Sequence, residues 1–276
     1  MCTVTFFPRE AGYYLAMNRD EQLTRLAGLP PRQQFVNGRS VVSPSEPGGG
    51  MWISLNDTLA SFALINWYSV TERVTGGVSR GQVVKSTSPS GTPEEAHQTL
   101  VRLPLNRINP FRLIGIFPEA REVVEWRWDL RQLSRHRCEW AARQWISSGF
   151  DQPKAQKIRS ATFEQMRQDP EAGSLSWLRH VHSSHSPEPG PFSTCMHRAD
   201  AATVSYCEVE ASRTDAALLY KMGPPCQDCP TVMTRLFAPA RAAVPAPLAG
   251  AGTNASLRGV SEPATGNILW DPSRDQ

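Results

Sequence analysis

The chain has 276 residues, of which 40% are hydrophobic and 20% charged, enough apolar material to bury a core without disulfides or a structural metal. Lys and Arg total 29 against 26 Asp and Glu, a net charge of +3 that is too small to call for a polyanionic partner such as nucleic acid. With 19 Gly and 23 Pro, the composition implies many turns between ordered elements rather than general disorder.

The opening MCTVTFFPREAG has neither the basic flank nor the apolar run of a secretory signal. No later segment reaches the roughly 18 apolar residues of a membrane span, so a soluble cytoplasmic protein is expected. Cys2, Cys138, Cys195, Cys207, Cys226 and Cys229 are too sparse for a disulfide scaffold and read as reduced thiols.

In chain order, the short apolar runs at residues 4–7, 13–17 and 41–42 predict strands, the last followed by the turn-forming SPSEPGGG. Residues 51–54 and 59–67 form another pair, turned at Asn56 and Asp57. The first 70 residues thus predict a β-meander. Thr92, Pro93, Glu94 and Glu95 place a capping hydroxyl, a first-turn proline and two acids ahead of AHQTLVRL, the signature of a helix start. FRLIGIF and REVVEWRW predict two more strands, while residues 106–111 fit no single pattern.

Cys138, Ala141 and Trp145 have helical spacing and predict a helix over 133–146; a second helix is expected over 155–168. After residues 175–181, HSSHSPEPGPFS reads as an exposed loop. Residues 202–209 and 216–220 again resemble strands. The Ala-, Pro- and Gly-biased residues 240–276 are expected to form a mobile tail or a surface strap. With no repeat and no clear boundary, residues 1–276 read as one domain.

The strongest chemical signal is Cys2. A small second residue permits removal of Met1, which would put a free α-amine on the residue that carries the thiol. Ordinary values near 8 for the amine and 8.5 for the thiol let the two exchange a proton near neutrality, so a nucleophile needs no separate histidine base. A core cysteine in a strand is the alternative. The strand at 13–17 then runs directly into Asn18, Arg19, Asp20 and Glu21, a polar cluster at a sheet end.

MCTVTFF followed by LAMNRDE resembles the NRDE, or transport and Golgi organization 2, family, which looks related to the N-terminal nucleophile hydrolases. GGGMWISLN, ALINW, SRG, SSGF and STCMHRADAATVSY extend the resemblance over most of the chain. It implies an α+β fold: a four-layer αββα sandwich, two antiparallel sheets covered by helices, with the nucleophile on the first strand. The resemblance also reaches the choloylglycine hydrolases and penicillin V acylases, which cleave linear amides. On that basis Cys2 is the nucleophile, and Arg19 and Asp20 match residues used near its amine and thiol. The acylases separate these two residues, whereas here they are adjacent; the acylase branch also uses a later arginine with no clear match.

In the resulting scheme Asp20 orients the α-ammonium, and Arg19 stabilises the thiolate or binds an anionic substrate end. A surface Arg–Asp pair is the competing reading. Asn66 is the candidate oxyanion donor, with a backbone cap as its alternative. Asn18, Trp67, Arg80 and His197 are candidate substrate-binding residues, although Asn18 could equally brace the turn and a lone histidine such as His197 is often structural. The expected substrate is a small-molecule or lipid-derived acyl compound, with haem or lipid carriage as the non-catalytic alternative.

Other motifs carry less. Cys226 and Cys229 form half a zinc or redox site that His180, His182 or His185 could complete, but PPCQDCP reads more simply as an exposed turn. No metal and no cofactor are therefore assigned. Trp126, Trp128, Trp140 and Trp145 are explained by core packing, and GGVSRG lacks the pattern of a phosphate loop.

Overall fold

A computed structural model describes residues 2–239; the expectations for Met1 and for 240–276 lie outside the described residues. Among the described residues thirteen strands form two antiparallel sheets. The six-stranded sheet takes β1 (Cys2–Arg9), β2 (Gly12–Gln22), β10 (Arg143–Ser147), β11 (Ala201–Ala211), β12 (Asp215–Lys221) and β13 (Thr231–Phe237) in the order β10-β1-β2-β11-β12-β13. The other runs consecutively through β3 (Leu29–Val36), β4 (Arg39–Ser45), β5 (Ile53–Asn56), β6 (Ser61–Asn66), β7 (Phe111–Phe117), β8 (Glu122–Trp128) and β9 (Leu133–Cys138).

Alternation along the strands explains the layering. In β1, Cys2, Val4 and Phe6 join Leu15, Ile53, Ile65, Ile114 and Leu218 in a core between the sheets. The outer face of the seven-stranded sheet, through Phe62, Leu113 and Trp126, packs on α1 (Gly81–Thr87) and α2 (Pro93–Val101). The outer face of the six-stranded sheet, through Tyr14, Ala16 and Tyr206, packs on α3 (Gln152–Met166) and α4 (Leu175–Ser183). These are the four αββα layers expected from the resemblance.

The start of α2 follows the predicted chemistry. Thr92 Oγ1 accepts from Glu95 N–H at 3.2 Å while Glu95 returns a carboxylate oxygen to Gly91 N–H at 2.7 Å, satisfying donors that an unpaired first turn would leave open. Asp151 caps α3 from one side, its carboxylate accepting from the Lys154 N–H at 3.0 Å.

The expected helix over 133–146 is absent: that interval is β9 and β10 joined by a turn, each strand in a different sheet. The period of Cys138, Ala141 and Trp145 is coincidental, because Ala141 is exposed while Trp145 is buried. The segment HSSHSPEPGPFS is likewise only partly the exposed loop expected. Residues 186–189 are exposed, but His182 at its start and Ser193 at its end are fully buried. The tryptophans enter packed layers: Trp126 and Trp128 lie under α1 and α2, Trp145 lies between the sheets, and the partly buried Trp140 packs on that inner core.

Candidate active site

Cys2 begins β1, the second strand of its sheet, between Arg19 on β2 and Ser147 on β10. Its side chain faces the space between the sheets and is only 8% exposed. Ser147 Oγ donates to the Asn66 carbonyl at 2.6 Å, joining the end of β6 in the opposite sheet to the strand beside Cys2. The sheet ends thereby converge on a cleft of about 310 Å³ lined by Cys2, Arg19, Asp20, Trp52, Asn66 and Arg80, among others. That volume lies at the lower end of the range for small-molecule sites.

Period-two alternation gives neighbouring residues opposite duties. Arg19, opposite Cys2, lays its guanidinium 4.6 Å from the centre of the Trp52 ring and donates to Glu46 at 2.8 Å. Glu21 and Glu46 also hold Arg25, so Arg19 belongs to a compensated charge network.

Asp20 turns toward the helical layer. One of its oxygens accepts from Thr203 Oγ1 at 2.7 Å and the other meets Arg159 Nη1 at 3.2 Å. Arg159 projects from α3, is fully buried and also donates to Thr3 Oγ1 at 2.7 Å. Burial, joined by the Asp20 charge, pushes the Cys2 thiol up, and the Asp20 backbone N–H and the Arg19 charge offset only part of that rise. A thiol so placed needs a local proton acceptor to become nucleophilic.

Asn66 lines the cleft, with its amide donating to Tyr68 Oη at 2.9 Å. Arg80 also lines it, and burial lowers its pKa. The turn before α1 reaches this wall because two glycines meet there: a Cβ on Gly81 would lie 2.6 Å from the Gly50 Cα.

Three predicted substrate-binding residues are not among those lining the cleft. Asn18 is fully buried and faces α4, where its amide donates to the carbonyls of His182 and Thr194 at 2.9 and 2.8 Å. This is the bracing alternative. Trp67 follows β6, its backbone N–H donating to Pro110. His197 faces His185, Cys195 and Cys226.

Sequence reasoning missed Arg159, Glu46, Tyr68 and Trp52 as neighbours of the candidate residues. Only Arg159 left a signal: it falls on the same stripe of the predicted helix as Ala155, Thr162 and Phe163, where an unpaired charge would be costly.

His182 completes the polar layer behind β1 and β2. Both Asn18 amide hydrogens go to carbonyls, so Asn18 Oδ1 must accept from His182 Nδ1 at 3.0 Å. Nε2 then accepts from Thr5 Oγ1 at 2.9 Å. Burial, reinforced by the Arg159 charge, lowers the His182 pKa to about 3.

The four-layer αββα sandwich is an N-terminal nucleophile hydrolase-like fold. Among solved structures it is similar to penicillin V acylase from Agrobacterium tumefaciens, at 10% identity and a TM-score of 0.52 over 84% of this chain and 85% of that one. It is also similar to two variants of conjugated bile acid hydrolase from Clostridium perfringens, each at 8% identity and a TM-score of 0.53 over 85% of this chain and 92% of the other. No family model matches the sequence, and no curated protein matches it significantly. Among the described residues no helix is long and apolar enough to cross a membrane.

Proposed function

We propose that the chain is an N-terminal cysteine hydrolase of the NRDE, or transport and Golgi organization 2, family, acting in the cytoplasm on a linear amide or related acyl bond. The observation that carries this reading is the meeting of Cys2, Arg19, Asp20 and Asn66 at the wall of one cleft. After removal of Met1, the α-amine of Cys2 takes the thiol proton. The thiolate attacks the substrate carbonyl carbon, and the resulting ammonium returns the proton to the leaving amine as the C–N bond breaks. Water, deprotonated by the α-amine, attacks the thioester; the acid departs and the Cys2 sulfur is restored.

Asp20, fixed by Arg159 and Thr203, orients the ammonium. Asn66 supplies to the developing oxyanion the amide N–H that it does not give to Tyr68 Oη. Arg19 stabilises the thiolate within its carboxylate network, leaving Arg80 to bind an anionic end of the substrate. The arginines, glutamates and asparagines of the cleft favour a small or lipid-derived acyl compound with a polar end over haem or a wholly apolar lipid.

Intact mass before and after treatment with a broad acyl electrophile tests this reading. Loss of Met1 and selective acylation of Cys2 are expected. Retained Met1 with an unreactive Cys2 would overturn it and support a carrier that keeps a hydrolase fold.

A further inference from the structure

Away from the cleft, four side chains from three chain segments converge. His185 follows α4, Cys195 and His197 precede β11, and Cys226 lies in the connection from β12 to β13. One ligand-type atom from each lies within 4.8 Å of all the others. His185 Nε2 is 3.1 Å from His197 Nε2, which is 3.6 Å from Cys195 Sγ and 3.5 Å from Cys226 Sγ; the two sulfurs are 3.4 Å apart.

Hydrogen bonding alone does not account for this arrangement. An imidazole nitrogen has either one N–H or one lone pair to offer, yet His197 Nε2 has three such neighbours at once. A central cation resolves the crowding, because each of the four atoms has a lone pair to offer it. With Zn–N near 2.05 Å and Zn–S near 2.3 Å, a tetrahedral site has edges of about 3.3 Å for N–N, 3.6 Å for N–S and 3.8 Å for S–S. The two N–S distances from His197 match that edge, the N–N and S–S distances fall within a few tenths of an ångström of theirs, and the two from His185 to the sulfurs lie within 4.8 Å. Two thiols and two imidazoles are also the donor set that suits zinc.

We propose that His185, Cys195, His197 and Cys226 bind one zinc ion, in a structural site closed by four protein ligands. Cys226 therefore partners residues distant in the chain rather than Cys229, and the CxxC spacing is incidental. The ion clamps the segment from 185 to 197, whose carbonyls serve the strand end beside Cys2. Thr194 accepts from Asn18, and Pro191 and Phe192 face Arg159 at 3.4 Å. Binding releases the thiol protons to solvent, and no electron transfer is involved.

The test uses the full chain, produced in zinc-supplemented medium and purified with a non-chelating phosphine reductant. Elemental analysis is expected to find about one zinc per chain. Exchange with cobalt should give the intense visible bands of a tetrahedral site together with a near-ultraviolet thiolate-to-cobalt transition. Cys226→Ser should lose the metal and Cys229→Ser should keep it, with circular dichroism reporting the fold of each. Wild-type protein without stoichiometric metal and without a cobalt spectrum would overturn the proposal, even if both variants misfold. So would a Cys195–Cys226 disulfide in the same reduced preparation, retention of full metal by folded Cys226→Ser, or loss of metal from folded Cys229→Ser.

Discussion

Acid should weaken this protein through His182 in a way that can be calculated. The ring is fully buried and neutral, donating to Asn18 and accepting from Thr5, and its pKa falls from 6.5 to about 3. Between those values the unfolded chain binds a proton that the folded chain excludes, so the contribution is present above pH 6.5 and lost as pH falls toward 3. At 1.36 kcal/mol per pH interval, His182 alone removes about 2 kcal/mol by pH 5, toward a limit of about 5 kcal/mol. His182→Gln should lose about 1–3 kcal/mol at pH 7 from unpaired partners, yet show a shallower fall between pH 7 and pH 5. Urea unfolding of both proteins at the two pH values measures the difference. Equal slopes, or an NMR titration in which His182 charges near pH 6, would refute the reasoning.

Cys2→Ala should abolish turnover and the acyl adduct while changing stability by no more than about 1 kcal/mol, since a small buried thiol gives way to a methyl group; normal turnover would reject the nucleophile. Arg159→Met should destabilise by about 3–5 kcal/mol because it removes the buried cation that faces the Asp20 carboxylate, and Arg159→Met with Asp20→Asn should recover part of that loss in denaturant titrations. Additive losses would show that the pair is not coupled. Gly81→Ala should cost about 1–3 kcal/mol and disturb the Arg80 wall, because its methyl group meets the Gly50 backbone. An unchanged Tm would show that the contact yields freely.

The positions of β1, β2, β4 to β8, β11 and β12 and the place of Cys2 were legible because they are local; the single meander expected over the first 70 residues was not found, because β2 and β3 lie in different sheets. Short β-branched runs mark the strands, and the register of β1 on β2 brings Arg19 opposite Cys2 without help from distant chain. Edge strands β3 and β13 escaped notice because each pairs on one side only and exposes most of its residues, which erases the alternation. Residues 133–146 misled for the opposite reason: a chance helical period spans a turn that carries the chain from one sheet to the other. Arg159, Glu46 and the His185–Cys195–His197–Cys226 cluster depend on contacts between distant segments, which spacing does not encode. Spacing pairs Cys226 with Cys229 and offers His185 only as one of three histidines that could approach; nothing in it adds Cys195 or His197.

Thr3, Thr5, Asn18 and Asp20 form a buried polar row on the outer face of β1 and β2, answered by Arg159 and His182 from the helices. An apolar row could slide by one residue against an oily helix at modest cost. Here a slip would turn Arg19 toward Arg159, point the Cys2 thiol at the helices and leave His182 without acceptor or donor. The row thus works as a key cut for one alignment, and the nucleophile faces the cleft because every other alignment leaves its lock unfilled.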